Sequence, residues 1–550
     1  MIGSSAGGRR AFDSAWLDAA LILVLAMALY SVSAVRGHAV GVDEVYHLLA
    51  ARSWLADQGF SVGDGVYLRA TGYTTALAWL FWAFGESESL ARLFSVLGAS
   101  LWVAALLLWL RWTVGRLAAW IAALLFCLAP ETVFLSQFIR FYTWHGLAFF
   151  LGAVGLYALA IRRPAAPTAL VLGAGVAACF AVALHLQLTT VVGLLGLSLW
   201  LAIALQGVWL ETFFTRPRGP WLLAAAAAVV ALVAAYAIGS GIAGRLFEVY
   251  RWAPLWSAPN KDNFLYYHLL FVEQYPALWA AFPLAALIAM VRHRNIGLFC
   301  LCLFGAIFVI HSFGGSKQER YLYYGMPFFF AIWGVVLASV ATQVRDLARQ
   351  AMGGVFEAEK LRGLRAPVAL ACFVTAVVFF LGSNPAYKTT FDLLRSWPRI
   401  HSQPSAAWAQ ARDRLEPYLE DGAVLLTTND IHAIFYFGDY DFQVSRLAVT
   451  ETATKQEFGI DPRTGRPAIS TPESLRLILA CYPSGLFVGN EFQWRHTRSG
   501  ISPETAEVLE AETRPISLPE QWEMRVFAWE RPEAPRPSEC ATLPGPSRGT

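Results

Sequence analysis

The chain has 550 residues, of which 57% are hydrophobic and 15% are charged. This composition is too apolar for an ordinary soluble protein, so the sequence indicates a membrane protein. The formal net charge is only +3, and the sequence contains no basic run or zinc-like cluster, which excludes nucleic acid as an expected partner.

Apolar segments close to the roughly 20 residues needed to cross a bilayer recur along the first 382 residues. The first, 16–35, lacks a small-residue cleavage site, so we predict a retained helix rather than a signal peptide. The predicted membrane-spanning helices are eleven: 16–35, 89–110, 117–130, 138–161, 167–185, 187–206, 219–240, 272–291, 295–312, 323–342 and 367–382.

A further stretch, 66–85, is ambiguous because it contains Arg69 together with polar and aromatic residues. Lysine and arginine decide its placement, since cytoplasmic loops carry the positive excess. If 66–85 lies in the outer interface, 15 of the 25 lysines and arginines before residue 367 are inside, whereas only 9 are inside if it spans. We therefore predict an interfacial segment. The polar segments of the outer face are then 36–88, 131–140, 185–187, 241–271 and 313–322.

Beyond residue 383 the hydropathy falls, and the pattern predicts a small α/β domain outside the cytoplasm. The predicted strands are 423–427, 433–437, 486–488 and 524–529, and the predicted helices are 405–418, 472–480 and 503–511. The predicted domains are 1–382 in the membrane, 383–530 outside it, and a Pro-rich disordered tail at 531–550. Only Cys481 and Cys540 lie outside apolar stretches. We expect two free thiols there, with a disulfide as the alternative.

Two adjacent carboxylates, Asp43 and Glu44, stand just after the first predicted span. Acidic residues are favourable in the first turn of a helix, so a solvated helix start explains them most simply. The functional alternative is a general base at the membrane boundary.

The segment with Asp43-Glu44, Tyr46, Ala50, Ala51 and Gly59 resembles the Asp-Glu signature in the first external loop of GT-C fold glycosyltransferases of the protein mannosyltransferase and aminoarabinose transferase superfamily. Further resemblances follow in the same order: Gly85 to Leu93; Pro130, Ser136, Arg140 and Tyr142; and Lys317, Arg320, Tyr321 and Pro327. They cover residues 16–342. The resemblance implies an all-α polytopic membrane domain, here followed by an α/β domain, and a polyprenyl-phosphate-linked sugar donor.

The chemistry of such a transfer requires a base for the acceptor hydroxyl and cations for the leaving phosphate. Asp43 is the candidate base, while Glu44 has three alternatives: positioning the acceptor, ligating a divalent ion or capping its helix. The candidate donor-phosphate ligands are Arg320, Lys317, Arg140 and Arg69, each with an interfacial anchor as the alternative role. Arg69 stands where the family often has Lys-Pro-Pro-Leu, and the prolines are missing here.

The candidate substrate-binding residues are Tyr142, His185, Tyr321, Arg251 and Lys261. Arg251 and Lys261 belong to the aromatic-rich loop 241–271, which we interpret as a lid or acceptor loop or, alternatively, as part of an interfacial belt. No spacing in the sequence is typical of a metal site, so we predict no cofactor, with a divalent metal as the open alternative.

We therefore predict a multi-pass glycosyltransferase of the inner (plasma) membrane, in contact with membrane lipids, that modifies a glycan, lipid or protein acceptor on the extracytoplasmic face. A secondary transporter is the main alternative, but the sequence lacks two similar halves and its charges do not cluster mid-span. A surface polysaccharide polymerase or ligase, or a non-catalytic scaffold, are further alternatives. In the α/β domain, Asp430 and His432 follow a strand and are weak ligand candidates.

Overall fold

The computed structural model describes residues 6–34, 40–206, 242–253, 257–355, 382–395, 407–419, 422–445, 458–461, 464–495 and 500–531, with a few isolated positions such as Cys540. Contacts between residues divide the chain into two compact units. The first, which we call the membrane unit, comprises 1–35 and 92–396, and the second, the outer-loop unit, comprises 36–91 and 397–550.

The membrane unit is helical. Its helices are α1 (Ala6–Ala34), α4 (Glu88–Thr113, which begins in the other unit), α5 (Arg116–Cys127), α6 (Pro130–Gln137), α7 (Tyr142–Arg162), α8 (Ala166–Leu186), α9 (Thr190–Ala204), α10 (Ile242–Arg251), α11 (Tyr266–Gln274), α12 (Pro276–Ala280), α13 (Phe282–Arg292), α14 (Arg294–Phe313), α15 (Met326–Val355) and α16 (Pro385–Arg395).

Six of the described helices are long and apolar enough to cross a membrane, and a seventh span results if α5 and α6, which meet at a 60° bend, are taken together. The chain is therefore a multi-pass membrane protein, as predicted. Two predicted spans, 219–240 and 367–382, lie almost wholly outside the described residues. The total of eleven spans therefore stays a prediction.

Small residues let the membrane helices approach closely, as is usual in bilayers. A Cβ atom built on Gly146 of α7 would lie 2.0 Å from the Trp102 ring of α4, and one on Gly152 would lie 2.8 Å from the Phe180 ring of α8. Neither position therefore accepts a side chain without repacking. The contact between Gly146 and Trp102 fixes the first half of α7 against α4.

The outer-loop unit begins with α2 (Val42–Leu55), the hairpin β1 (Ser61–Val62) and β2 (Gly65–Val66), and α3 (Thr71–Phe84). Helix α3 has 14 residues, too few to span a bilayer that needs about 20. Its Trp82 side chain is 81% exposed, and Trp79 and Phe84 are exposed as well. These features fit the interfacial element predicted at 66–85, because amphipathic aromatic rings favour the membrane interface.

The remainder of this unit is a seven-stranded sheet of order β5-β6-β4-β3-β7-β9-β8. Its strands are β3 (Val424–Thr427), β4 (Phe442–Val444), β5 (Phe458–Ile460), β6 (Pro467–Ile469), β7 (Ser484–Asn490), β8 (Arg514–Pro515) and β9 (Met524–Glu530), and its helices are α17 (Trp408–Leu415), α18 (Asp430–Phe437), α19 (Pro472–Cys481) and α20 (Pro503–Glu512). Strands β6, β4, β3 and β7 are parallel, while the outer strands are antiparallel. The predicted α/β domain is confirmed.

Two predictions in this domain are wrong. Residues 433–437, predicted as a strand, belong to helix α18. The reason is that a short apolar run buried on all sides lacks the alternation that distinguishes a strand from a helix. The two cysteines expected to be free, Cys481 and Cys540, form a disulfide. It ties the end of α19 to the C-terminal segment.

Candidate functional site

Two arginines approach one tyrosine ring in the membrane unit. The guanidinium carbon of Arg140 lies 5.5 Å from the ring centroid of Tyr142, and that of Arg320 lies 5.7 Å from the same centroid. Both distances are within cation–π range. We call Arg140 and Arg320 the guanidinium pair. Both guanidinium groups border the same buried ring, and their planar N–H donors suit an anionic ligand.

Local backbone structure explains why these side chains meet. Helix α6 ends at Gln137, and Arg140 lies in the short turn before α7 begins with Tyr142. Arg320 lies in a 3-10 turn, Glu319–Tyr321, shortly before α15. Arg140 is 1% exposed, whereas Arg320 is half-buried. The hydroxyl of Tyr142 is buried and has no hydrogen-bond partner among the described residues.

Lys317 has a different environment from the guanidinium pair. Its Nζ donates hydrogen bonds to the main-chain carbonyls of Ser312 and Gly314, each at 2.5 Å, at the C-terminal end of α14. The side chain is 2% exposed, and burial, followed by the charge of Arg251, lowers its pKa to about 8. The structure therefore gives Lys317 a helix-capping role, and its phosphate role stays a prediction.

The remaining predicted residues of this unit lie around these groups. The ring of Tyr321 lies 5.7 Å from the guanidinium carbon of Arg320. Arg251 donates to the carbonyl of Phe313 at 2.9 Å and pairs with Asp262. The carbonyl of Lys261 also accepts from Arg251, at 3.4 Å. The loop is thus tied to the end of α14.

His185 lies in the last turn of α8 and is exposed. The structure does not add to the sequence-based expectation for this residue.

Two buried carboxyl groups, those of Glu131 and Glu319, lie in the same region, and Glu319 directly precedes Arg320 in the chain. The hydroxyl of Tyr275 donates to Glu131 Oε2 at 2.7 Å, and Gln274 Nε2 donates to Glu319 Oε1 at 3.3 Å. Burial, and then the charge of Glu273, raises the pKa of Glu319 to about 7. Near neutral pH, Glu319 is therefore only partly ionised and offsets only part of the positive charge of its sequence neighbour Arg320.

In the outer-loop unit, the two signature carboxylates take different roles. Both lie in the first turn of α2, where Asp43 is half-buried and Glu44 is 4% exposed. Glu44 Oε2 accepts a hydrogen bond of 2.7 Å from the main-chain N–H of Gly41. Of the three alternatives for Glu44, the structure supports helix capping.

Helix α2 is held against α3 by an aromatic cluster. His47 Nδ1 lies 2.8 Å from the hydroxyl oxygen of Thr74, and its ring makes edge contacts with Tyr67 and Tyr73 at 5.1 and 4.9 Å. Arg69 is exposed in the turn before α3, and its phosphate role stays a prediction.

The same helix is also bound by the α/β domain within this unit. His432 Nε2 lies 2.7 Å from the main-chain carbonyl oxygen of Val40. Arg52 lies over the Phe435 ring at 4.9 Å. The domain therefore contacts the segment that carries Asp43 at both of its ends.

No protein-family model and no curated protein matches the chain. Among solved structures, it is similar to ArnT from Cupriavidus metallidurans bound to undecaprenyl phosphate, with 17% identity, a TM-score of 0.60, and coverage of 95% of this chain and 98% of that chain. The apo form of the same protein has 17% identity and a TM-score of 0.57, and the similarity covers 94% of this chain and 98% of that chain. The archaeal oligosaccharyltransferase AglB from Archaeoglobus fulgidus has 13% identity and a TM-score of 0.53, and the similarity covers 87% of this chain and 70% of that chain.

The chain has the GT-C fold. Agreement over almost the full length of both chains extends to the α/β domain, so the resemblance read from the motifs is confirmed at the level of fold. At these identities the likeness carries no residue roles, which still depend on the contacts described above.

Sequence reasoning missed two groups within this GT-C chain. Glu131 and Glu319 are far apart in sequence, and only the packing of α6, α11 and the turn before α15 brings their surroundings together. His47 stands beside the acidic pair in the sequence and was passed over. Its position three residues after Glu44 places it in the following turn of α2, and this spacing was the available signal.

Within the described ranges, no group of three or more His, Cys, Asp or Glu side chains has the arrangement of a metal site. The expectation of a metal-independent protein therefore stays a prediction.

Proposed function

We propose that this protein is a membrane glycosyltransferase that transfers a sugar from a polyprenyl-phosphate donor to a hydroxyl group of an envelope glycan, lipid or protein. The observation that carries the proposal is the guanidinium pair, in which Arg140 and Arg320 share the Tyr142 ring. Its charge and planar donors suit a phosphate.

The comparisons support the class of donor. The two proteins of like fold are described with a polyprenyl-type phosphate: ArnT with undecaprenyl phosphate and AglB with a dolichol-phosphate. A chain of the same fold with a cationic site fits a donor of this chemistry. Lys317 and Arg69 remain supporting candidates for the phosphate, and Tyr321, His185, Arg251 and Lys261 for the sugar or acceptor.

In the proposed reaction, the acceptor oxygen attacks the anomeric carbon of the donor sugar. The bond between that carbon and the phosphate oxygen breaks, and the electron pair leaves with the polyprenyl phosphate. The carboxylate of Asp43 takes the hydroxyl proton. Arg140 and Arg320 stabilise the negative charge that grows on the phosphate.

We place the protein in the inner (plasma) membrane with the α/β domain outside the cytoplasm. The lysine and arginine distribution supports this orientation. The Cys481–Cys540 disulfide supports it independently, because disulfides persist mainly in oxidising compartments. We retain 1–382 as the proposed catalytic domain and 383–530 as the outer domain, to which the first loop adds contacts.

The test is mass spectrometry of envelope glycans and glycolipids from a deletion strain complemented with wild type, Asp43→Asn or Glu44→Gln. We expect one sugar to be lost on deletion and restored by wild type but not by Asp43→Asn. Glu44→Gln keeps an oxygen for the Gly41 cap, so it should restore the sugar and serves as the matched control. If no sugar is lost on deletion, the proposed function is wrong; if Asp43→Asn restores it fully, the proposed base is wrong.

A further inference from the structure

His432 is held in a fixed orientation where α18 starts, after β3. Its ring stacks against Trp408 at 5.5 Å and 25°, and it lies near Tyr436 at 6.3 Å. Its Nδ1 is 2.9 Å from the side-chain amide oxygen, Oδ1, of Asn429. Only Nε2 is directed away from the domain, toward the carbonyl of Val40.

The position of α18 in the sheet explains this location. Strand β3 pairs with β4 on one side and with β7 on the other, and all three are parallel. The chain passes from β3 through α18 to β4 and reaches β7 only later. The carboxyl end of β3 is therefore a topological switch point, where open α/β sheets commonly bind ligands. In this protein, the group that lies at this position is the peptide between Val40 and Gly41, just before α2.

That peptide group is bonded at both ends. The carbonyl of Val40 accepts from His432 Nε2 at 2.7 Å, and the N–H of the next residue, Gly41, donates to Glu44 Oε2 at 2.7 Å. Val40 itself is 1% exposed. Because one rigid, planar unit is fixed from both sides, the direction in which α2 starts is fixed too. Asp43 lies in that first turn.

His432 has the correct protonation state for this contact. Burial lowers its pKa to about 4, so the imidazole is neutral at physiological pH. A neutral imidazole donates from one nitrogen only. The main-chain carbonyl of Val40 can only accept, whereas the Asn429 amide can turn its NH2 group toward Nδ1, so the donor to Val40 is Nε2.

We propose that His432 is a positioning residue, which fixes the Val40–Gly41 peptide and thereby the orientation of Asp43 for proton transfer. The inference rests on the proposed function, since it assigns the α/β domain a role in that reaction. A carboxylate base has to lie within hydrogen-bond reach of its proton, and displacement by about 1 Å can lower the rate roughly 100-fold. Loss of the His432 contact should act at this step and not on donor binding.

The experiment compares His432→Leu, which removes the donor, with His432→Gln, whose amide N–H restores one. Full-length protein in nanodiscs is examined by hydrogen exchange of the amides at 41–45 and by binding of undecaprenyl phosphate. The same variants complement the deletion strain, and the transferred sugar is measured by mass spectrometry. Asp64→Asn is the matched control, because it removes the charge from a different contact between loop and domain, the 2.9 Å pair with Arg466.

We expect His432→Leu to increase exchange at 41–45, to lower the transferred sugar about 10- to 100-fold, and to bind undecaprenyl phosphate as wild type does. His432→Gln should recover most of the sugar, and Asp64→Asn should be close to wild type. Equal transfer by His432→Leu and wild type overturns the inference and leaves the proposed function intact. Parallel loss of phosphate binding, or no recovery by His432→Gln, also overturns it, since His432 would then support the fold generally. Absence of transfer by wild type defeats the proposed function, whereas the exchange measurement still decides whether His432 holds the helix.

Discussion

Arg320 lies over the ring of Tyr142, with 5.7 Å between its guanidinium carbon and the ring centroid. Tyr142 begins α7 and Arg320 lies in the turn before α15, so the contact joins two distant parts of the membrane unit. Arg140 approaches the same ring. The tyrosine thus serves as a common support for two cations, and this arrangement leads to the first prediction.

Replacing Arg320 with lysine keeps the charge but removes the planar pair of donors and the stacking on Tyr142. We expect the affinity for undecaprenyl phosphate to fall about tenfold, which corresponds to about 1.4 kcal/mol. Arg140→Lys should have a similar effect. Binding to purified protein in nanodiscs measures this, with Arg163→Lys as the control, since Arg163 follows α7 at its other end. Unchanged binding by both variants would contradict a phosphate role for the pair.

We predict that Glu319 makes donor binding dependent on pH. Its pKa is raised to about 7, so the group is neutral below that value and negative above it, beside Arg320. We expect the affinity for undecaprenyl phosphate in wild type, relative to Glu319→Gln, to fall about three- to tenfold as pH rises through 7. The ratio between the two proteins cancels the ionisation of the ligand phosphate itself. A ratio independent of pH would show that Glu319 does not act on the pair.

Lys317 should contribute to stability more than to phosphate binding. Lys317→Met removes the donor to the carbonyls of Ser312 and Gly314 at the end of α14. Hydrogen bonds to charged groups contribute about 1.5–3 kcal/mol each, so the thermal midpoint of the purified protein should fall by several degrees. Phosphate affinity should change less than in Arg320→Lys. A larger loss of affinity than in that variant, with an unchanged midpoint, would restore Lys317 as a principal phosphate ligand.

The disulfide should stabilise the outer-loop unit. Cys481→Ser removes the link between α19 and the C-terminal segment, and native disulfides typically contribute about 2–5 kcal/mol. Thermal unfolding of full-length protein, followed with and without reductant, should show a lower midpoint for the variant and for reduced wild type. Cys179→Ser is the control, since Cys179 is a free thiol in α8. The prediction is wrong if reductant does not lower the unfolding midpoint of the wild-type protein.

Much of the fold could be predicted because its signals are local. Apolar length identified the six long apolar helices of the described residues, although the predicted span 272–291 is divided among α11, α12 and α13. Alternating patterns identified β3, β7 and β9. The order of short motifs indicated the GT-C fold. Residues 433–437, predicted as a strand, form part of α18, because a short apolar run does not distinguish a helix from a strand. The strands β4, β5, β6 and β8 have no counterpart among the predicted elements, since two or three residues carry too little pattern.

The sequence proposes residues for the candidate site but not the contacts between them. Arg140, Tyr142 and Arg320 were chosen as residue types suited to phosphate and sugar, yet their common ring contact depends on how two turns pack. For Lys317 the sequence indicates a phosphate ligand, and that role stays a prediction; only the structure shows that its ammonium group also caps a helix.

The sequence by itself determined that this is a multi-pass membrane protein with an added α/β domain, because hydrophobic length and periodicity act over a few turns of chain. Only the tertiary structure decided which groups meet: His432 with the main-chain carbonyl of Val40, Glu131 with Tyr275, and Arg320 with Tyr142. These contacts join residues far apart in the chain, and their geometry depends on the packing of whole elements, which no local pattern specifies.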